Sequence, residues 1–113
     1  MSSTNPEAVA KIRMLNFVLR QTGVGGTIAF MGGLAHASQN TKQAVFAAVQ
    51  NAEVKHDGND PHGEGDFGSV MVEGQKYLWK IDYYDKNMEY GSDDPSDPKV
   101  TQRVLSIFRA EDY

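Results

Sequence analysis

The sequence predicts an α+β fold, and three observations predict it. Apolar residues recur at helical spacing near the start and middle of the chain. Two runs rich in branched and aromatic residues flank a Glu-Gly pair, and polar, turn-forming stretches separate these segments. The expected order is α-β-α-β-β-α, with a short antiparallel sheet, a β-hairpin within it, and helices packed against it. A chain of 113 residues hides roughly two-thirds of its unfolded surface on folding, enough for one hydrophobic core. Residues 1–113 are therefore expected to form one domain.

The first helix opens where Thr4 precedes Pro6 and Glu7, in the form of a capping box with proline in the first turn. Val9, Ile12, Leu15 and Leu19 line one side of it, and Arg20 and Gly23 suit its end. Residues 27–31 are short, branched and aromatic, as in a buried strand that stops at Gly32-Gly33. Helical spacing returns at Ala44, Val45, Ala48, Val49 and Ala52, with Ser38 or Asn40 as cap. Residues 53–66 read as a long polar loop, and loops of that length in small domains are commonly functional. Residues 67–72 and 75–84 fit a hairpin about Glu73-Gly74. Its second strand puts Tyr77, Trp79, Ile81 and Tyr83 on one face and Leu78, Lys80, Asp82 and Tyr84 on the other, because side chains alternate along a strand. After a second polar loop at 85–98, Asp97-Pro98 predicts the start of a last helix with Val100, Val104, Ile107 and Phe108 as its buried stripe.

Composition narrows the function. A formal charge of -4 offers phosphates no general attraction, which disfavours nucleic acid as a partner. The absence of cysteine removes disulfides, thiol nucleophiles and thiolate zinc sites together. There is no apolar run of membrane-spanning length and no basic start leading into an apolar stretch, so a cytoplasmic location with no membrane association is expected. The glycines at 23, 25, 26, 32 and 33 lack the Gly-Lys-Ser/Thr ending of a phosphate loop, and no nucleophile elbow is present, so no organic cofactor is expected.

Several segments resemble a known family. They are Asn59-Asp60-Pro61-His62-Gly63-Glu64-Gly65-Asp66-Phe67-Gly68, then Trp79-Lys80-Ile81-Asp82-Tyr83-Tyr84-Asp85, then Gly91-Ser92 with Asp94-Pro95 and Asp97-Pro98, and finally the expected helix at Arg103-Val104-Leu105 ending Ala110-Glu111-Asp112-Tyr113. Together, from about Leu15 onward, they resemble the bacterial domain-of-unknown-function family numbered 3768. The resemblance implies an accessory protein of plasmids, integrated elements and phages, and it implies no reaction. Members often carry His where this chain has Gly65.

Three constellations are candidates for function. His56, Asp60, His62, Glu64 and Asp66 combine imidazoles and carboxylates that suit a divalent metal such as zinc or manganese, with Asp82 in support. Their spacing matches no established site, and the competing reading is a loop whose short polar side chains satisfy turn amides. Asp82, Asp85, Glu89, Asp93, Asp94 and Asp97 form an acidic group that would steer a basic partner, or simply be solvated. The aromatic residues Tyr77, Trp79, Tyr83, Tyr84 and Tyr90 supply either core or an interface. The favoured expectation is a non-enzymatic protein that binds a host protein or complex, in keeping with a role against host defence. Trp79, Tyr83, Tyr84, Asp85, Glu89, Asp93 and Asp94 would be its interaction residues. The alternative is a metal-dependent hydrolase or nuclease using His62, Glu64 and Asp66, with Asp82 and His56 supporting.

Overall fold

A computed structural model of the chain describes residues 5–52 and 63–113. Helix α1 spans Pro6–Thr22. Asn5 is its N-cap, its Oδ1 accepting the Glu7 amide at 2.9 Å, while the expected cap Thr4 lies outside the described residues. Gly23 ends the helix at φ 77°, and its amide returns to the Leu19 carbonyl. Strand β1 follows at Gly26–Phe30, then a 3-10 turn at Gly32–His36 and helix α2 at Gln39–Asn51. Ser38, one of the two caps the sequence offers, accepts the Thr41 amide at the start of α2.

Strands β2 (Phe67–Val72) and β3 (Gln75–Tyr84) form the expected hairpin. Glu73 at φ 51° and Gly74 at φ 80° both take left-handed conformations, the geometry of a two-residue turn whose twist matches the strands it joins.

The last element differs from expectation. Gln102–Arg109 is strand β4, not a helix. Asp97 does close a turn, its Oδ1 accepting the Lys99 amide at 2.9 Å and its carbonyl the Val100 amide at 3.2 Å, but the turn goes no further. Val100, assigned to a buried stripe, is 43% exposed. The cause is position: β4 lies between β1 and β3, and its residues 105–108 are all buried. Val104, Leu105, Ile107 and Phe108 put apolar residues on both faces of the strand instead of alternating strictly, and apolar residues so placed also satisfy helical spacing.

The sheet is therefore four-stranded and mixed, in the order β1-β4-β3-β2, rather than short and antiparallel. β1 pairs parallel with β4, while β4 with β3 and β3 with β2 are antiparallel. Cross-strand register puts Ile28, Phe30, Leu105, Ile107, Tyr77, Trp79, Ile81, Val70 and Val72 on one face. There they meet Leu19 of α1, Leu34 of the 3-10 turn, and Val45 and Val49 of α2 to form the core. Each fully buried side chain of this kind contributes roughly 1.5–3 kcal/mol. Arg20 joins α1 to α2 and the sheet: its Nη1 donates to the Val49 and Ala52 carbonyls at 2.9 and 2.7 Å, and its guanidinium lies 5.1 Å from the centre of the Trp79 ring. Neither α1 nor α2 covers the opposite face of the sheet.

Candidate interaction surface

Behind the end of β3 is a buried polar cluster. Asn16, on the core side of α1, donates through Nδ2 to the Glu64 carbonyl at 3.0 Å and to the Tyr83 hydroxyl at 2.8 Å. The Tyr83 hydroxyl in turn donates to Glu64 Oε1 at 3.0 Å. Arg103 Nε donates to Asn16 Oδ1 at 2.9 Å, its Nη2 bonds the Pro95 carbonyl, and its guanidinium lies over the Tyr83 ring. Glu64 and Arg103 are almost wholly buried, so their charges depend on these bonds in place of water. The cluster ties together α1, the approach to β2, strands β3 and β4, and the loop before β4. Through Arg103 it holds the Pro95 carbonyl of the segment that joins β3 to β4.

Burial, with an added push from the Glu64 carboxylate, raises the Tyr83 hydroxyl well above the ordinary phenol value of 10.0. In the unfolded chain the same phenol ionises near its ordinary value, so above it the unfolded state binds fewer protons than the folded one and stability falls as pH rises. Tyr83→Phe removes this contribution: its stability is expected to decline less steeply than the parent's between pH 9 and 11, at the limits set by phenol titration. At neutral pH it should be less stable by about 1–2 kcal/mol for the lost hydroxyl bonds. Urea melts across that pH range measure both effects, and parallel alkaline slopes for the two proteins would refute the assignment.

The loop itself is built by short polar side chains. Thr101 donates its hydroxyl to the Asp94 carbonyl, Ser92 and Thr101 share a 2.7 Å hydrogen bond, and Ser92 Oγ accepts the Asp94 amide. Asp94 Oδ1 accepts the amide and hydroxyl of Ser96, bonds that lower the Asp94 pKa. Asp85 Oδ1 accepts the Glu89 amide at 3.0 Å. Glu89 and Asp93 are exposed. Backbone pairing of Tyr84 with Gly91 anchors the loop against the end of β3.

Tyr84 also borders the uncovered sheet face. A cleft of about 390 Å³ opens there, lined among others by Met31, Lys80, Asp82, Tyr84, Phe108 and Tyr113. Lys80 and Asp82 form a 3.4 Å ion pair on its floor. Tyr113 stacks on Phe108 at 5.6 Å while remaining 81% exposed. Arg109 Nε bonds Asp112 Oδ2 at 2.9 Å, and Asp112 Oδ2 also accepts the Gly33 amide, which fixes the C-terminal turn at the cleft's rim. Both bonds lower the Asp112 pKa. The cleft is thus an amphipathic concavity that meets the acidic loop at Tyr84.

The expected site residues fall into four groups. Trp79 is fully buried and packs in the core, and Tyr83 is bound into the polar cluster, so neither presents the contact surface expected of it. Asp94 is exposed but its carboxylate holds the loop. Tyr84, Asp85, Glu89 and Asp93 lie together along the cleft and loop. Of the metal candidates, His56, Asp60 and His62 lie outside the described residues. Glu64 belongs to the buried cluster, whereas Asp82 lines the cleft on the other side of the sheet, so those two do not converge. Among the described residues no group of three His, Asp or Glu is placed to hold a metal ion. Sequence reasoning missed Asn16 and Arg103 as a pair because 87 positions separate them. It missed Met31, Phe108 and Tyr113 because the cleft exists only once β4 is a strand. A polar Asn in the apolar stripe of α1 was the one available signal.

Fold and surface define a class: a mixed α+β sheet with helices on one face and an amphipathic cleft on the other. Residues 30–112, most of the chain, match the family described as Protein of unknown function (DUF3768), and the protein belongs to that family. No curated protein and no solved structure matches it. Among the described residues, no helix is long and apolar enough to cross a membrane.

Proposed function

We propose that the protein is a non-enzymatic binding module of a mobile genetic element, acting in the cytoplasm on a host protein or complex. In this reading the cleft and the acidic loop form one interaction surface, and counteraction of host defence is its purpose. The observation that carries the reading is the meeting, at Tyr84, of an uncovered cleft holding exposed Met31 and Tyr113 with a loop presenting Glu89 and Asp93. Apolar groups framed by charge are the composition of protein interfaces, where aromatic residues dominate affinity and peripheral charges steer encounter.

The test is affinity purification of the tagged protein from a bacterial host, with mass spectrometry of co-eluting proteins. A partner at near-stoichiometric amount is expected. Glu89→Lys with Asp93→Lys should reduce its recovery about tenfold or more while leaving the melting temperature unchanged, since peripheral charges govern association more than folding. A monomer carrying bound zinc or manganese and no partner would favour instead the metal-dependent hydrolase reading through His62, Glu64 and Asp66.

A further inference from the structure

The outer edge of β1 lies away from the cleft and makes a different kind of site. β1 is the end strand of the sheet, and no other strand among the described residues pairs with its far side. The Met31 amide bonds the Ile107 carbonyl, so odd-numbered residues of this strand turn their backbone groups toward β4. Backbone direction alternates along a strand, so the amides and carbonyls of Ile28 and Phe30 face outward. The sequence Gly-Thr-Ile-Ala-Phe has no charge and no proline, the usual devices that keep an edge strand from pairing with another chain.

Beside this edge runs a groove of about 250 Å³ between β1 and α2. Ile28 and Phe30 form its strand wall, and Gln39, Lys42, Gln43 and Phe46 form its helix wall. These four are spaced at intervals of three and four residues, a stripe beside the core stripe of Val45 and Val49. Lys42 is the one charged residue of the groove, its ammonium 5.9 Å from the centre of the Phe30 ring.

The geometry points to a peptide-binding site that works by strand addition: an extended segment of a partner protein pairs with the backbone of Ile28 and Phe30, places apolar side chains in the groove, and sets an acidic side chain against Lys42. Each part of the site selects one property of the ligand. Outward amides and carbonyls select an extended backbone, the apolar side chains of Ile28, Phe30 and Phe46 select alternate apolar side chains, and Lys42 selects an anion. A second copy of this chain satisfies only the first two. Its β1 carries no acidic residue, so self-pairing would leave Lys42 without a counter-charge. The site goes beyond the cleft reading and stands or fails independently of it.

The probe is the capped peptide Glu-Thr-Leu-Thr-Leu-Thr-Glu, whose Glu and Leu side chains share one face in either strand direction, titrated into the labelled protein by NMR. Its counterpart carries Lys in place of both Glu. Binding of the acidic peptide is expected to shift the Ile28 and Phe30 amides and slow their exchange with solvent. Lys42→Glu should weaken the acidic peptide about fivefold to tenfold and favour the lysine peptide by a similar factor, as reversal of one half-buried charge pair supports. Ile28→Pro removes an outward donor that no strand of the sheet uses and should abolish binding. If that variant fails to fold, the charge swap decides alone. Shifts confined to the cleft, absence of binding, or equal affinity of both peptides for both proteins would overturn the proposal. So would self-association through β1 that Lys42→Glu leaves unchanged, since that outcome assigns the edge to a second copy.

Discussion

Gly68→Val is expected to destabilise the protein by about 3 kcal/mol or more, at the upper end of what an overpacked site costs. Gly68 pairs with Trp79 across β2 and β3, and the indole lies directly over it. A Cβ built on Gly68 would stand 2.6 Å from three indole atoms, Cε2, Cζ2 and Nε1. The indole has no room to yield, because the Arg20 guanidinium lies against its ring and the residue is fully buried in the core. Even alanine introduces that contact, so Gly68→Ala should be destabilising in the same direction, with a smaller loss. Urea denaturation of both variants gives the magnitudes. A neutral alanine variant would mean that the sheet shifts to accept the methyl group, contrary to the tight packing that buried indoles require.

Arg103→Met is the second large effect, expected at about 3–5 kcal/mol, with a melting temperature lower by on the order of 10–20 °C. Methionine fills similar volume, so the loss comes from the partners left behind. Asn16 Oδ1 and the Pro95 carbonyl lose their donor, and the buried Glu64 carboxylate loses a neighbouring positive charge. Burial lowers the Arg103 pKa, while Tyr83 and Glu64 oppose that shift. The guanidinium is thus held in the interior by the cluster around it. A variant combining Arg103→Met with Glu64→Gln and Asn16→Leu should recover part of the loss, because replacing a whole buried network by neutral groups costs less than breaking it. Additive losses across the three sites would contradict this coupling.

These two positions separate local from distant information. The hairpin was legible because its signal is local: alternating residues on both sides of Glu73-Gly74 allow only one register for a two-residue turn. Helix α2 was legible for the same reason, with its cap Ser38 and its stripe of Val45 and Val49 within a few turns. The segment 102–109 was not, because an apolar run of this length satisfies both periods, and only pairing with β1 and β3 decides between them. That pairing joins residues 77 positions apart, as in Thr27 with Val104, and 18 to 32 positions apart, as in Ile81 with Leu105, which are 24 apart.

The candidate surface divides along the same line. Exposure of Glu89 and Asp93 in a polar loop followed from composition, since acidic and turn-forming residues dominate 85–98 and favour solvent. Which aromatic residues of β3 face a partner did not follow. Alternation assigned Trp79 and Tyr83 together to one face, and only the docking of α1 and α2 on that face made it the interior and left Tyr84 on the open one. The sequence by itself determined helices α1 and α2, the hairpin and the polar character of residues 85–98, because short-range periodicity and turn chemistry act within a dozen residues. The central strand, the buried Asn16–Tyr83–Arg103 cluster, the cleft and the open edge of β1 were decided by tertiary structure. Each depends on which distant segments become neighbours, and that is settled by competition for the same buried surface.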